Sequence, residues 1–176
     1  MTRDLFDEIC DGAERESALW AESLQPPERR EPTPVFSTLV PDAAQALGLE
    51  TIYEGYLLHY GRSRLFAPTD LDIALLLGDT LLAHGLVRIA ELGDVVAVGD
   101  LAQLLSLCAQ ARAVGRDGEA AAWAATAAHL GRGGLDEARA ALRDRADGQP
   151  LDAAARAVAG AAAVDAALAT HRRFVS

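Results

Sequence analysis

Residues 71–92 read LDIALLLGDTLLAHGLVRIAEL, and this stretch decides the fold class. Apolar side chains point in nearly every direction around a helix of this sequence, and the stretch shows no alternation with a period of two residues. Thr69 or Asp70 stands just before it and is suited to cap the first helical turn. The stretch therefore predicts a long helix at the centre of an all-α domain, surrounded by other helices.

Helical patterns also flank this stretch on both sides. Short turns that contain glycine separate the later patterns, and such turns are typical of helices that pack antiparallel to their neighbours. We therefore predict a single-domain, all-α bundle of about six or seven helices. They are expected over roughly 3–23, 42–60, 71–92, 95–114, 119–130, 135–146 and 151–174.

A proline-rich segment divides the first predicted helix from the rest of the chain. Residues 25–34 read QPPERREPTP, with four prolines among charged residues, which neither a helix nor a central strand accommodates. The predicted organisation is an N-terminal helix over 1–24, a proline-rich connector over 25–40 and a helical domain over 41–176. We expect the N-terminal helix to be loosely attached.

The charge balance excludes several kinds of partner. The 176 residues carry a formal net charge of -10, and all 16 basic residues are arginine. Nucleic acids and anionic lipid surfaces require compensating cations, so neither is expected to bind. No stretch has the 18 to 20 uninterrupted apolar residues of a typical membrane span, so no integral membrane segment is expected.

The two cysteines indicate a cytoplasmic protein. Cys10 and Cys108 lie far apart and lack the spacing of a zinc site. Residues 1–12, MTRDLFDEICDG, contain acids where a secretory signal would have an apolar run. Free thiols without such a signal are typical of the reducing cytoplasm.

Three short motifs carry a family resemblance. Residues 74–83 read ALLLGDTLLA, residues 89–94 read IAELGD, and residues 95–102 read VVAVGDLA. Together with LLH at 57–59, residues 70–110 resemble the trans-isoprenyl (polyprenyl) diphosphate synthase family in the helices that follow its first aspartate-rich motif. The resemblance implies that this pair of helices lies at the centre of an all-α domain.

The chain departs from that family at the position of its metal ligands. In the family, the histidine at this point leads into a DDxxD cluster whose carboxylates hold magnesium, whereas His59 is followed by YGRSRLF. The resemblance thus implies a relative similar to the non-catalytic small subunits that pair with a catalytic prenyl synthase. We expect no catalytic residue, no metal and no cofactor, and a protein partner or homo-oligomer.

Several polar residues around the departing loop remain candidates for contact with a ligand or partner. Arg62 and Arg64 could grip a diphosphate or a partner's carboxylate, or could simply be solvated. Asp79 and His84, inside an apolar helix, face either a ligand or a buried hydrogen-bond partner such as Arg88, Tyr53 or Tyr56. The full set of candidates is Glu54, His59, Arg62, Arg64, Asp72, Asp79 and His84.

Two other functions remain open from the residues alone. Residues 129–142, HLGRGGLDEARAAL, are similar to a tetratricopeptide turn and second helix, although the turns do not recur at a fixed interval. The second alternative is a small metal-dependent enzyme, which would require several acids and a histidine to converge in one pocket. Its candidate ligands are Glu50, Glu54, His59, Asp72 and Asp79.

Overall fold

The computed structural model describes residues 4–175. Within this range the chain forms nine α-helices and no strand beyond one isolated bridge between Leu24 and Phe66, which confirms the all-α prediction. The helices are α1 (Leu5–Glu16), α2 (Ala18–Glu22), α3 (Ala46–Tyr60), α4 (Leu71–Glu91), α5 (Val95–Ala113), α6 (Glu119–Ala128), α7 (Asp136–Arg145), α8 (Gln149–Ala159) and α9 (Ala161–Arg172).

Two helix breaks account for the difference between seven predicted and nine observed helices. Ser17 has an extended backbone and its side chain accepts a hydrogen bond from the backbone N–H of Leu19, which ends α1 and starts α2. Gly160 separates α8 from α9 with a φ of 85°, a left-handed conformation that favours glycine. The apolar spacing continues across Ser17, and Gly160 stands in a run of alanines, so the sequence pattern revealed neither break.

The centre of the fold is α3, and not the helix expected there. Every residue from Gly48 to Leu58 is buried, whereas α4 is buried over only a third of its most apolar window. Within residues 4–175, α4 is the one helix long and apolar enough to cross a membrane, which by itself is weak evidence for a span. The expectation of a central α4 is corrected because much of its apolar surface faces outward.

Glycines allow α3 and α4 to pack closely along their length. A Cβ atom built on Gly55 would lie 2.7 Å from the carbonyl oxygen of Gly78. One built on Gly85 would lie 2.3 Å from Cγ1 of Ile52 and 2.7 Å from the carbonyl oxygen of Gly48. All three distances are shorter than any ordinary carbon contact, so the two backbones touch where side chains would otherwise separate them.

The second half of the chain packs around α6, in which residues 122–128 are buried. α6 packs mainly against α8 and also contacts α5 and α9. Trp123 on α6 is fully buried and stacks on Phe36, and its ring meets Tyr53 and Tyr56 edge to face. This aromatic cluster joins α6 to the central helix α3.

The N-terminal region is packed against the helical domain and not loosely attached. Phe6 and Ile9 on α1 and Trp20 on α2 are buried in a second apolar cluster with residues of α3 and α4. The proline-rich connector is also anchored, since Val35 and Phe36 have no exposed surface. Residues 4–40 therefore form part of the same packed body as the helices that follow.

Candidate functional site

The loop between α3 and α4 is organised by a fully buried arginine. The Nε atom of Arg64 donates to Glu54 Oε2 at 2.8 Å, and Nη1 donates to Glu50 Oε2 at 2.6 Å. Nη1 also donates to the carbonyl oxygen of Thr33 at 2.8 Å. None of the three charged side chains has exposed surface, and the two carboxylates raise the pKa of Arg64 further above its usual value.

Backbone donors satisfy the remaining carboxylate oxygens of this network. Glu50 Oε1 accepts from the N–H of Val35 at 2.9 Å and from that of Ser37 at 3.1 Å. Glu54 Oε1 accepts from the N–H groups of Arg64 and Leu65 at 2.8 and 3.0 Å. Because every charge is paired and hydrogen-bonded, the network fastens the connector and the loop to α3.

The burial of Arg64 and Glu54 assigns both to the interior, although they were candidates for ligand contact. Arg62, two residues earlier in the loop, is exposed; its guanidinium pairs with Glu31 and lies 5.0 Å from the ring centroid of Phe174. Glu31 is also 3.4 Å from Arg173. Of the two loop arginines, only Arg62 reaches the surface, and a carboxylate already holds it.

His59 and Asp79 come together at the edge of the α3–α4 pair. Nε2 of His59 lies 3.2 Å from Oδ1 of Asp79, and the aspartate side chain is 70% exposed. The two residues are twenty positions apart in sequence and become neighbours because α3 and α4 pack closely. Both line a pocket of about 320 Å³ between α3, α4 and α5.

The other candidates on α4 lie away from this pocket. Asp72 is exposed in the first turn of the helix, where the helix dipole stabilises a negative side chain. His84 lies on another face, with Nε2 3.5 Å from Glu16 of α1. The expected buried partners are not used, since Arg88 donates instead to the hydroxyl of Thr51 at 2.7 Å.

A second polar cluster joins α3, α5 and α6. Arg112 Nε lies 2.6 Å from Glu119 Oε1, and its Nη2 donates to the hydroxyl oxygen of Tyr56 at 3.2 Å. The Tyr56 hydroxyl donates in turn to Glu119. Burial and the bond to Glu119 raise the pKa of Tyr56 above its usual value, so the phenol stays protonated as a hydrogen-bond donor.

A cavity of about 520 Å³ lies beside this cluster between the α5–α6 turn and the end of α9. Its lining includes Arg112, Glu119, Arg172 and the buried His171. The arginines and acids are mixed, and Arg112 is already paired with Glu119, so the cavity has no concentrated charge of either sign. We assign it no ligand.

An exposed apolar surface runs along the outside of α4. We call it the α4 outer face and define it by Leu71, Leu75, Leu76, Ala83 and Val87. It is followed at the α4–α5 turn by Leu92, Val95 and Val96, which are also exposed. Sequence reasoning missed this surface because a helix that is apolar on all sides was read as a helix enclosed on all sides.

The five residues of the metal-site alternative do not converge. Glu50 and Glu54 bind Arg64 inside the protein, Asp72 lies at the surface, and only His59 and Asp79 are neighbours. Within the described part of the chain, no group of three or more potential His, Cys, Asp or Glu ligands is close enough to hold a metal ion. The geometry thus gives this alternative no support.

The helix order also gives little support to a tetratricopeptide array. In such an array each helix packs against its neighbours in the chain. Here α6 packs mainly against α8 and not against α7, which follows it directly.

Comparisons with protein-family models, with curated proteins and with solved structures found no match to this chain. Its function is therefore inferred from its own residues and their arrangement.

Proposed function

We propose that this protein is a non-catalytic helical subunit that binds a partner protein through the α4 outer face. The observation that carries the proposal is an apolar helix whose outward side chains no element within residues 4–175 covers. Leu76 and Val87 on that face are 55% and 54% exposed, although they belong to the most apolar long helix of the described chain.

The extent of this surface favours a protein interface over scattered surface residues. The exposed fractions of Leu71, Leu75, Leu76 and Val87, with Leu92, Val95 and Val96 beside the turn, add up to about four complete side chains. Burying one such side chain contributes roughly 1.5–3 kcal/mol. Exposed apolar surface of this extent, bordered by polar residues, is typical of interaction sites on soluble proteins.

The charges around the α4 outer face indicate what kind of partner fits it. The exposed charged residues beside the face on α4 are Asp72, Asp79 and Glu91, all acidic. A second copy would bring the same acids and a net charge of -10 against them. A partner with an apolar surface bordered by arginine or lysine meets the face with opposite charge, so we commit to such a partner and not to a homodimer.

The relationship to isoprenyl diphosphate synthases is part of the proposal. The relationship requires that residues 70–110 form two long packed helices. α4 and α5 are two long helices in contact, and this supports the relationship. The non-catalytic role is supported by YGRSRLF after His59, where magnesium-binding acids are needed. Arg64 is enclosed by glutamates, so no diphosphate can reach it without opening the core. A cytoplasmic location stays a prediction.

The test starts from the native complex. The tagged full chain is purified from its own cells, its partner is identified by mass spectrometry, and the binary complex is rebuilt from purified proteins. We expect Leu76→Glu and Val87→Glu each to weaken the measured affinity by at least roughly tenfold. A co-purified prenyl synthase would support the family relationship as well.

The matched control is Val158→Glu, which places the same charge at an exposed valine of another helix, α8. Equal binding by wild type, V87E and V158E would overturn the proposal. Sedimentation of the purified chain tests the choice of occupant. A homodimer that V87E dissociates and V158E does not would show that a second copy covers the face, contrary to the partner proposed here.

A further inference from the structure

The pocket between α3, α4 and α5 opens beside the α4 outer face. Asp79 connects the two, since it stands between Leu76 and Ala83 on the outward side of α4 and also lines the pocket. A partner that covers the face therefore passes the mouth of the pocket. With a volume of about 320 Å³, the pocket is large enough for a long side chain.

The pocket walls combine aromatic rings with a single carboxylate. Tyr56 and Tyr60 from α3 and Leu82 from α4 contribute apolar lining, and Ser106 of α5 adds a hydroxyl group. Asp79 contributes the negative charge at the solvent side. Aromatic rings beside a carboxylate are the surroundings that a guanidinium or ammonium group prefers.

The ring of His59 lies beside Asp79 in the wall of the pocket. Nε2 of His59 is buried and has no hydrogen-bond partner among the described residues, although it lies 3.2 Å from Asp79 Oδ1. The ring is held against Gly78, where an added Cβ would lie 2.5 Å from Nε2. This packing places the imidazole beside Asp79 and keeps the carboxylate at the mouth of the pocket.

Arg112, a cation beside the pocket, does not compete for the site. Its Cζ lies 5.5 Å from the ring centroid of Tyr60, but its charge is compensated by Glu119 at 2.6 Å, and its Nη2 donates to the Tyr56 hydroxyl. The carboxylate of Asp79, in contrast, is mostly exposed, and within residues 4–175 its one ion-pair partner is His59. It remains available to an incoming cation.

We infer that this pocket receives an arginine side chain of the partner protein. The guanidinium donates to Asp79, and the aliphatic part of the arginine side chain lies against Tyr60 and Leu82. This inference rests on the proposed function, because it assumes a partner on the α4 outer face. It adds an anchor residue to that interface, of the kind that often dominates binding energy.

The experiment uses the isolated full chain and a pair of probes that differ in charge. ¹⁵N-labelled protein is titrated with N-acetyl-arginine methylamide and, separately, with the neutral N-acetyl-citrulline methylamide. We expect saturable shifts around residues 56–60 and 79–82 with the arginine probe and roughly tenfold weaker binding of the citrulline probe. Asp79→Asn should weaken binding of the arginine probe to a similar extent.

The matched control is Asp72→Asn, which removes an exposed carboxylate of the same helix outside the pocket. It should leave binding of the arginine probe unchanged. No saturable shift, equal binding of both probes, or equal effects of D79N and D72N would overturn the inference. The titration contains no partner protein, so its outcome is independent of the binding test with V87E. If the titration failed but V87E still disrupted the purified complex, the arginine pocket would be refuted and the proposed function would stand.

Discussion

Arg64 and Glu54 form an ion pair of 2.8 Å in which neither side chain has exposed surface, although Arg64 belongs to a loop. The guanidinium Cζ also lies 5.0 Å from the ring centroids of Phe6 on α1 and Tyr53 on α3. One loop residue thus connects the N-terminal region, the central helix and the α3–α4 connection. Arg64 and Glu54, which were candidates for contact with a ligand, instead stabilise the packing of these three parts of the fold.

Removal of the guanidinium should therefore destabilise the whole protein. Arg64→Ala leaves Glu50 and Glu54 buried without their cation, and we expect a loss of about 3–5 kcal/mol in the free energy of unfolding. Arg64→Lys should restore little of it, because an ammonium group cannot reproduce the two-sided contact of the guanidinium. Urea unfolding followed by circular dichroism measures both changes.

Arg62→Ala is the control for this prediction, since Arg62 is an exposed arginine of the same loop. Its pair with Glu31 is open to solvent, so its removal should cost less than about 1 kcal/mol. Similar losses for R62A and R64A would contradict a structural role specific to Arg64.

Both thiols should resist alkylation in the folded protein. Burial raises the pKa of Cys10 to about 11 and raises that of Cys108 well above its usual value. Because the thiolate is the reactive form, iodoacetamide at pH 8 should modify neither residue in native buffer and both in urea. Intact-mass spectrometry gives the count, and rapid native labelling of either cysteine would show that its surroundings open.

Much of the fold could be predicted because capping residues mark the helix ends. α4 was expected over 71–92 and ends one residue earlier, and its first turn is capped by Asp70, which accepts from the N–H of Ile73 at 2.9 Å. Asp94 caps α5 in the same way through Ala97. Local hydrogen bonds of this kind depend on neighbouring residues only, so the sequence contains the information.

The candidate site was harder to predict because burial depends on residues far away in the chain. A charged loop is usually solvated, and nothing local distinguishes Arg64, which is enclosed, from Arg62, which is exposed. The proximity of His59 and Asp79 arises from the glycine-mediated approach of two helices. Likewise, apolar composition does not tell a helix covered by its own chain from one left for a partner, as α4 shows.

The close approach of α3 and α4 should depend on the absence of a side chain at Gly85. Gly85→Ala places a methyl group 2.3 Å from Cγ1 of Ile52 and 2.7 Å from the carbonyl oxygen of Gly48. Because the backbone oxygen cannot move away freely, we expect a loss of about 1–3 kcal/mol in the free energy of unfolding. Urea unfolding measures it.

Gly99→Ala is the matched control, because Gly99 lies inside α5 and an added Cβ meets nothing within 4 Å. Alanine has the higher helix propensity, so this variant should gain up to about 1 kcal/mol. If G85A were as stable as G99A, the two helices would not be packed backbone to backbone as described.

The buried His171 should make the protein less stable in mild acid. Its Nδ1 atom shares a hydrogen bond of 2.8 Å with the hydroxyl of Tyr53, and the residue is only 3% exposed. Burial, assisted by the charges of Arg112 and Arg172, lowers the pKa of the imidazole from its ordinary 6.5 to about 4. The folded protein therefore holds this histidine neutral where the unfolded chain protonates it.

The sign of the effect follows from proton binding. Between pH 6.5 and 4 the unfolded chain binds more protons at this residue than the folded protein does. The stability that comes from the neutral histidine is therefore complete above pH 6.5 and is lost as the pH falls toward 4. The loss in the free energy of unfolding should reach about 3 kcal/mol. Urea unfolding over this pH range should show a shallower decline for His171→Asn, which keeps hydrogen-bonding groups but does not titrate. Because the acidic residues titrate in both proteins, parallel pH profiles for wild type and H171N would contradict the assignment to this histidine.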